Sequence, residues 1–571
     1  MMKNALLSFI LLIVFGCDCH PPDAFTNVDL YFENGIIYTV DDDDSIVQAL
    51  AVKDGIIVFA GSADAGKRYK EAAAEIIDLK GGMLLPGFID GHIHTVTPEF
   101  FDFVHFLDFN LDVTLQTIVN YLNAHPIQEV YYGFGYNVNI FEGEEILKGP
   151  KKERLDAICS DKPLIIYSLD GHTIWLNSKG FEYCKITKDT PCPTGGEIVK
   201  DEQTGELWGV LTNSAMSLVP DPFLEADRLS IVLQNFQSDL NALGYTSIMT
   251  LPGNGFLGVY WDGYQQLERE RLLTLRVRGA KIIKPWSWEE DMAHIKTLRN
   301  KYNSKLVKIT AAKFFIDGII ASRTAYLLQP YQGSDFCGES MWEQNALNSA
   351  ITIMNREGFQ THTHVMGDAS AKMALDAAQY ANCPDCRNVL THLPLIDPSD
   401  FSRFKALNVI PVIQPYWFFK QFNYWEPVEY AALGSRAEKE WPLQSYINQG
   451  AKVVFSSDFP VTNPPDPFVA IEIGVTRNKP KVADIEDSTY LLWPEERADV
   501  RNMIRGFTAH AAYSMFEEKV TGTLEVGKSA DMVVIDQDLF SIYPSKISNT
   551  KVLRTYFRGK LVYRLESYEN E

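Results

Sequence analysis

Eight short apolar runs, each closed by polar residues, set the strongest limit on the fold of this 571-residue chain. Most of them are separated by amphipathic stretches with helical spacing, such as residues 225–242 and 369–381. Strands that alternate with helices form parallel sheets, and eight such units predict an α/β protein with a (β/α)8 TIM barrel. The eight runs are 88–94, 245–250, 276–282, 311–317, 360–364, 389–392, 409–414 and 453–458.

The spacing of these runs also predicts a long insertion. The count of eight holds only if residues 105–220 are inserted after the first barrel strand, so the barrel would comprise residues 87–104 and 221–514. A segment of this length requires structure of its own. Residues 162–168 and 205–211 have the apolar pattern of strands within it.

Both ends of the chain carry short runs in which apolar and polar residues alternate. Between residues 27 and 86, Asn34-Gly35 and Asp54-Gly55 separate such runs, and this turn chemistry predicts hairpins. The strands cannot bury their inner faces alone, and residues 515–565 contain runs that could cover them. We therefore expect one β-sandwich built from residues 27–86 and 515–565.

The first barrel run ends in His92 and His94. Alternate side chains share one face of a strand, so both imidazoles can hold one divalent cation. Such a pair leaves coordination positions for water and further protein groups. A His-x-His sequence alone is a weak signal, because two histidines can simply close a strand.

The residues around this pair strengthen the metal interpretation. Residues 86–94, Pro-Gly-Phe-Ile-Asp-Gly-His-Ile-His, resemble the first-strand signature of the amidohydrolase superfamily of metal hydrolases, which are built on a (β/α)8 barrel. Residues 522–531, Gly-x-Leu-x-x-Gly-Lys-x-Ala-Asp, are similar to the C-terminal signature of the superfamily. The rest of the chain is similar to amidohydrolase family 3, which includes N-substituted formamide deformylases.

The resemblance implies three further ligands at strand ends, where such barrels have their active sites. His364 matches the histidine of a His-x-x-Gly-Asp motif on strand five, and Asp458 matches the aspartate of strand eight. His392 matches the histidine of strand six, although Thr391 stands where an acidic residue is usual.

Lys313 resembles the strand-four lysine of the family, four residues before Asp317-Gly318. Burial lowers the pKa of a lysine that faces a barrel interior and favours the neutral amine. A neutral amine can take up carbon dioxide to form a carbamate, whose two oxygens can bridge two metals. The alternative is an inward lysine paired with a carboxylate.

The resemblance also implies a mechanism for these residues. His92, His94 and Asp458 would hold one metal and His364 and His392 a second, with Lys313 between them. Zinc is the expected ion, as one or two ions, while manganese, iron or cobalt would suit the same ligands. Asp458 would accept the proton of a metal-activated water and pass it to the leaving nitrogen. We therefore predict hydrolysis of a carbon-nitrogen bond in a small amide, formamide or cyclic amide.

Three residues are candidates for the substrate pocket. His172 lies in Asp170-Gly171-His172, which resembles a family motif whose imidazole approaches the substrate carbonyl; the alternative is a structural loop histidine. Arg323 follows strand four and could bind a carboxylate or form a surface ion pair. Gln414, at the end of the seventh run, could line the pocket. His362 is interpreted as packing.

The net charge of the chain restricts its possible binding partners, and the N-terminal segment indicates its location in the cell. The balance of 74 acidic against 52 basic residues gives a net charge of -22, which disfavours binding to nucleic acid or anionic membranes. Residues 1–17 combine Lys3, an apolar core and Cys17, as in a signal peptide that ends in a bacterial lipobox. We expect an exported, lipid-anchored envelope protein, with plain secretion and an uncleaved anchor as alternatives.

The cysteines allow two short-loop disulfides in an oxidising compartment. Cys184 could pair with Cys192 and Cys383 with Cys386, whereas a reducing compartment would leave thiols.

Two other functions remain open at this point. One is hydrolytic deamination with a single metal, as in relatives of adenosine deaminase, but the glutamate that such deaminases carry a few residues after the strand-five histidine is missing from Val365-Met366-Gly367-Asp368. The other is a catalytically silent binding lipoprotein, which would have no need of a proton acceptor such as Asp458.

Overall fold

The computed structural model describes residues 27–95, 103–106, 110–169, 171–193, 196–220, 226–252 and 260–566. The predicted signal and lipobox segment, residues 1–17, lies outside them, as does Asp170. Across the described ranges, no helix combines the length and apolar character that crossing a bilayer requires.

The central element is an eight-stranded parallel sheet that curls into a nearly closed barrel, as predicted. Lys313 lies opposite His362, and Val365 lies opposite His392, in its ladders. The last and first strands meet where the amide of Asp458 donates to the carbonyl of His92 at 2.9 Å. The strands are Phe88–Ile93, Tyr245–Thr250, Arg276–Ile282, Val307–Phe315, Gln360–Val365, Val389–His392, Ile410–Ile413 and Val454–Phe455.

Amphipathic helices alternate with these strands. In Asp368–Ala381, alanines and Leu375 are buried, and the helix ends at Asn382, whose left-handed backbone stops it. The other main helices of this region are Ala226–Ala242, Trp261–Arg269, Trp288–Lys301, Gln344–Arg356, Phe401–Leu407, Gln444–Asn448, Pro467–Thr476 and Val500–Gly506.

A short helix, Ala509–Ser514, covers the end of the barrel at which the strands begin. The side chain of Gln360, the first residue of its strand, donates to the carbonyl of Ser514 at 2.8 Å. Apolar side chains from seven strands pack with this helix, including Ile89, Met249 and Val412. The opposite end of the barrel, where the strands finish, therefore remains available for a site.

Two sheets form the predicted β-sandwich, and one of them combines both ends of the chain. Its strands, in spatial order, are Lys560–Arg564, Val552–Phe557, Met532–Ile535, Met83–Pro86, Ile36–Tyr38 and Ile46–Val47. The other sheet consists of Ile56–Gly61, Ala49–Lys53, Val28–Glu33 and Ala73–Asp78. Leucine, isoleucine and valine side chains from both sheets form one buried cluster.

One of the two predicted hairpins is wrong. Ala49–Lys53 and Ile56–Gly61 pair antiparallel around Asp54-Gly55, as expected. The strands on either side of Asn34-Gly35 instead belong to different sheets, so this turn carries the chain across the sandwich. Val28–Glu33 already has a neighbour on each edge, and these longer ladders outweigh the local preference of the turn.

The insertion contains its own six-stranded sheet, and both of its predicted strands are present, as Leu164–Ser168 and Leu207–Asn213. In spatial order the strands are Gly196–Lys200, Leu207–Asn213, Thr173–Leu176, Leu164–Ser168, Tyr131–Tyr136 and Val104–His105. Its helices include Leu111–Ala124, Lys152–Asp156 and Ser178–Tyr183.

Of the two possible disulfides, Cys383 and Cys386 form one. Cys184 and Cys192 are free thiols, contrary to a pairing between them. Cys184 ends a helix and packs against the main core, whereas the thiol of the exposed Cys192 contacts the carbonyl of Gly196 at 3.2 Å.

Candidate metal centre

A cavity of about 400 Å³ opens where the barrel strands end. Side chains of the insertion form part of its wall, including Phe134, Tyr136 and His172. All six residues predicted as metal ligands line it: His92, His94, Lys313, His364, His392 and Asp458. The fold therefore brings together residues that are up to 366 positions apart in the sequence.

Asp458 lies among the imidazoles. Its Oδ1 is 3.1 Å from Nε2 of His92 and 3.1 Å from Nε2 of His94. Its Oδ2 is 4.0 Å from Nδ1 of His392. One carboxylate thus contacts histidines from strands one and six.

The donor atoms fit a divalent cation. One nitrogen each of His92 and His392 and one oxygen of Asp458 lie within 4.8 Å of one another, the one such group among the residues whose positions are described. Two imidazoles and a carboxylate are a usual ligand set for zinc and related ions. This grouping differs from the predicted division, which assigned His92 and His392 to different metals.

A second layer of contacts orients these rings. Nδ1 of His92 lies 3.0 Å from Nε2 of His362, and Nδ1 of His94 lies 2.9 Å from the carbonyl oxygen of Leu251. Nδ1 of His392 donates to Oε1 of Gln414 at 3.1 Å. Such outer contacts set the tautomer and direction of a metal-binding imidazole.

His364 makes a different contact. Its Nε2 lies 3.0 Å from the carbonyl oxygen of Gly318, in the loop after strand four. The ring centroids of His364 and His392 are 4.6 Å apart, so His364 belongs to the same cluster.

Burial keeps the imidazoles of His92, His364 and His392 neutral, which is the form that binds metals. Burial, followed by the charge of Lys313, lowers the pKa of His92 well below its usual value and that of His364 to about 3. Burial also lowers the pKa of His392. For Asp458, burial would raise the pKa, but His392, His94 and Lys313 together outweigh it and lower the pKa.

Lys313 is 1% exposed and faces the same cavity. Burial lowers the pKa of its amine to about 7, against a smaller opposing effect of Asp458. Its Nζ lies 4.8 Å from the centre of the Phe315 ring. A large share of this lysine is therefore the neutral amine near pH 7.

The backbone at the strand ends is unusual. His392 has a φ of 77° and Asp458 a φ of 55°, values that non-glycine residues rarely adopt. Buried Asp90 helps to hold this region, since it accepts hydrogen bonds from the amides of His92 at 3.1 Å and Ser457 at 3.2 Å. Such conformations persist where the surroundings enforce them, and they cluster at functional sites.

The predicted substrate residues have three different positions. His172 lines the cavity, and its Nδ1 contacts Oδ1 of Asn213 at 3.1 Å. Gln414 is fully buried behind His392 and is absent from the cavity lining that the described residues form. Arg323 is exposed outside that lining, and its guanidinium reaches the carbonyl oxygens of Gln332 and Ala431 at 3.5 and 3.4 Å.

Sequence reasoning missed several residues of this site. The sequence predicts a packing role for His362, yet this residue contacts His92. Its spacing of two from His364 places both on one strand face and is the signal that points to the site. Trp441 and Glu429 also line the cavity. No sequence motif marks these two, which lie in the segments that follow strand seven, Glu429 in a π-helical turn and Trp441 in a bend.

Two curated proteins are similar to this chain over about two thirds of its length or more. N-substituted formamide deformylase of Arthrobacter pascens is 23% identical over 554 residues, which cover 94% of this chain and 98% of that protein. Exoenzymes regulatory protein AepA of Pectobacterium carotovorum is 29% identical over 397 residues, or 68% of this chain and 85% of that protein.

Among solved structures, an uncharacterized metal-dependent hydrolase of Pyrococcus horikoshii superposes with a TM-score of 0.71 at 23% identity, covering 90% of this chain and 99% of that one. This likeness shows the shared fold. A family model described as "Amidohydrolase family" matches residues 75–563, well over half of the chain. The chain is therefore a metal-dependent hydrolase that belongs to the amidohydrolase family, in its family 3 subgroup.

Proposed function

We propose that this hydrolase cleaves a carbon-nitrogen bond in a small amide, formamide or cyclic amide. The observation that carries the proposal is a buried carboxylate, Asp458, held among imidazoles at a cavity wall. The name of one relative, N-substituted formamide deformylase, supports the same bond type. Phe134, Trp417 and Trp441 in the cavity wall favour an apolar substituent on the substrate.

In this proposal Asp458 moves the proton. Its lowered pKa keeps it ionised, so it can accept the proton of the attacking water. It then delivers that proton to the leaving nitrogen, which would otherwise depart as a poor anionic leaving group. His92, His392 and Asp458 would hold a divalent ion, which would supply Lewis acidity toward the carbonyl and lower the pKa of water.

We assign the role of positioning the substrate carbonyl to His172. Its Nδ1 contacts Oδ1 of Asn213, and this contact orients the ring. This role is supported by its position in the cavity wall that the insertion contributes.

We further propose zinc as the ion and a carbamate on Lys313. The neutral amine attacks the carbon of carbon dioxide and loses one proton, which yields an anionic ligand with two oxygens. The pKa of about 7 supports this step, because the amine must be unprotonated to react.

The test is a screen of purified, metal-loaded protein against N-acyl, N-formyl and cyclic amides, with chromatography of the released amine. We expect turnover of at least one class, which is lost in Asp458→Asn and after chelation. Ligand binding without turnover in the wild type would overturn the proposal in favour of a binding protein.

We also propose that the protein is exported to the bacterial envelope with a lipid on Cys17, and that it acts on small molecules rather than nucleic acid. The disulfide of Cys383 with Cys386 is in keeping with an oxidising compartment. Mass spectrometry of the N-terminus of the mature protein, purified from the membrane fraction, tests this. An unmodified N-terminus that begins at Met1 would contradict it.

A further inference from the structure

Two carboxyl groups meet in the cavity wall away from the metal ligands. Glu429 lies in a π-helical turn, Trp425–Tyr430, and lines the cavity. Glu440 follows the 3-10 helix Gly434–Lys439, is fully buried and faces the carboxyl of Glu429. Within the described chain, neither side-chain oxygen of Glu440 receives a hydrogen bond from another residue's N–H or hydroxyl. A buried carboxylate without such donors is costly.

The nearby cationic side chains are directed elsewhere. The guanidinium of Arg477 donates to the backbone carbonyls of Glu440 and Trp441, at 3.2 and 2.8 Å, rather than to a carboxylate. Lys420 pairs with Glu438 at 3.0 Å. Among the described lining residues, Lys313 is the one lysine or arginine, and it lies at the metal centre. These neighbouring side chains therefore supply no positive charge to the two glutamates.

Aromatic rings connect the glutamates to the metal centre. The ring of Trp417 lies 6.1 Å from that of His392 and 5.3 Å from that of Trp441, measured between centroids. Trp441, the residue after Glu440, has a φ of 63°, a conformation that a bulky residue rarely adopts. With this backbone, two consecutive residues differ in position: the indole of Trp441 lines the cavity, and the carboxyl of Glu440 is fully buried. Indole faces attract cations.

We propose that Glu429 and Glu440, with Trp417 and Trp441, bind a cationic group of the substrate, an ammonium or guanidinium. The N–H groups of the cation donate to the carboxylates of Glu429 and Glu440, of which Glu440 lacks other donors within the described chain. The indoles flank the spacer between the cation and the scissile bond. This inference rests on the proposed function and names its substrate class: amides that carry a positive charge at the end remote from the bond that is cleaved.

The ionisation of the pair is consistent with this role. Burial raises the pKa of Glu429 to about 8, and burial together with the charge of Glu429 raises that of Glu440. Both glutamates of the empty pair are therefore mainly protonated near pH 7. A bound cation takes the place of one of these protons, which leaves to solvent.

The experiment compares benzylguanidinium with benzylurea, its neutral counterpart of the same shape, by isothermal titration calorimetry. Both probes are titrated into metal-loaded and metal-free wild-type protein at pH 7. The variants are Glu429→Gln and Glu440→Gln, and the matched control is Glu426→Gln, which removes an exposed carboxylate from the same turn. Circular dichroism checks the fold of each variant.

We expect the wild type and Glu426→Gln to bind benzylguanidinium at least about tenfold more tightly than benzylurea. This is the difference in affinity that one hydrogen bond to a charged group contributes. The preference should disappear in Glu429→Gln and Glu440→Gln. Equal binding of the two probes by the wild type would refute the inference without any variant. A preference that survives both substitutions would also refute it.

The two proposals fail in distinguishable ways. A cation preference in metal-free protein, with no amide hydrolysed by the metal-loaded form, would retain the subsite and overturn the proposed reaction. Hydrolysis of neutral and cationic amides with equal kcat/KM, together with no cation preference in binding, would retain the proposed reaction and overturn the cation subsite.

Discussion

His362 offers a sharp test of how the metal centre is supported. It is 1% exposed, and its Nε2 lies 3.0 Å from Nδ1 of His92. Since Nε2 of His92 faces Asp458, Nδ1 is the nitrogen that carries the proton and donates to His362. The other nitrogen of His362 receives no partner from the described residues. His362→Phe, a change of similar volume, therefore removes essentially one hydrogen bond.

The expected loss of zinc affinity in His362→Phe follows from leaving Nδ1–H of His92 without an acceptor. An unsatisfied buried donor costs about 1–3 kcal/mol, which corresponds to about five- to 140-fold in a dissociation constant. Loss of an outer hydrogen bond to a metal-binding histidine weakens metal binding by about 10- to 100-fold. The two ranges agree, so we expect a loss of about tenfold or more in zinc affinity.

The assay is competition for zinc with a chromophoric chelator, together with thermal unfolding of the metal-free protein. His362→Gln keeps an acceptor and should recover part of the affinity. His510→Phe is the control, because Nδ1 of His510 bonds the carbonyl of Val453 at 3.0 Å and not a metal ligand. Unchanged zinc affinity in His362→Phe, or an equal loss in His510→Phe, would refute the reasoning.

Four further predictions concern the same cavity. Asp458→Asn should lower kcat by about 10²- to 10⁴-fold as measured by amine release, since it removes the proton carrier; wild-type rates would contradict that role. Lys313→Arg should abolish the carbamate carbon signal that 13C-bicarbonate gives by NMR in the wild type, and a persisting signal would place the carbamate elsewhere. Gln414→Leu should weaken zinc binding by about 10- to 100-fold, because His392 loses its hydrogen-bond acceptor. An unchanged zinc affinity in competition with a chelator would show that Gln414 does not support His392. Burial raises the pKa of Glu429 to about 8 and also raises that of Glu440, so the folded protein binds more protons than the unfolded chain above the usual carboxyl pKa, and stability falls as the pH rises from 4.5 toward about 8. Glu440→Gln should reduce this decline in thermal melts and Glu426→Gln should not, and equal declines in the two variants would contradict this assignment.

The barrel was predictable because its signals are local. Each strand is a short apolar run, and each helix has its own periodicity, so a run such as 276–282 indicates its structure without knowledge of its neighbours. Parallel strands end at one rim, and the polar residues that close them, such as His392 and Asp458, consequently line one cavity.

Where local preference competed with longer ladders, the prediction failed. Asn34-Gly35 has the composition of a hairpin turn, yet it connects two different sheets because Val28–Glu33 pairs with Ala49–Lys53 and Ala73–Asp78. A turn contributes only its own few residues, whereas a ladder adds hydrogen bonds and buried side chains along a whole strand.

The sequence by itself determined the strand and helix segments, the family and the ligand candidates, since these depend on periodicity and motif. Only the tertiary structure decided that His362 supports His92 from 270 residues away, that Gln414 lies behind His392 rather than in the cavity, and that Glu429 faces Glu440. Such contacts depend on how loops and rings pack across the barrel rim, and no periodic pattern in the chain encodes a distance between segments that meet only after folding.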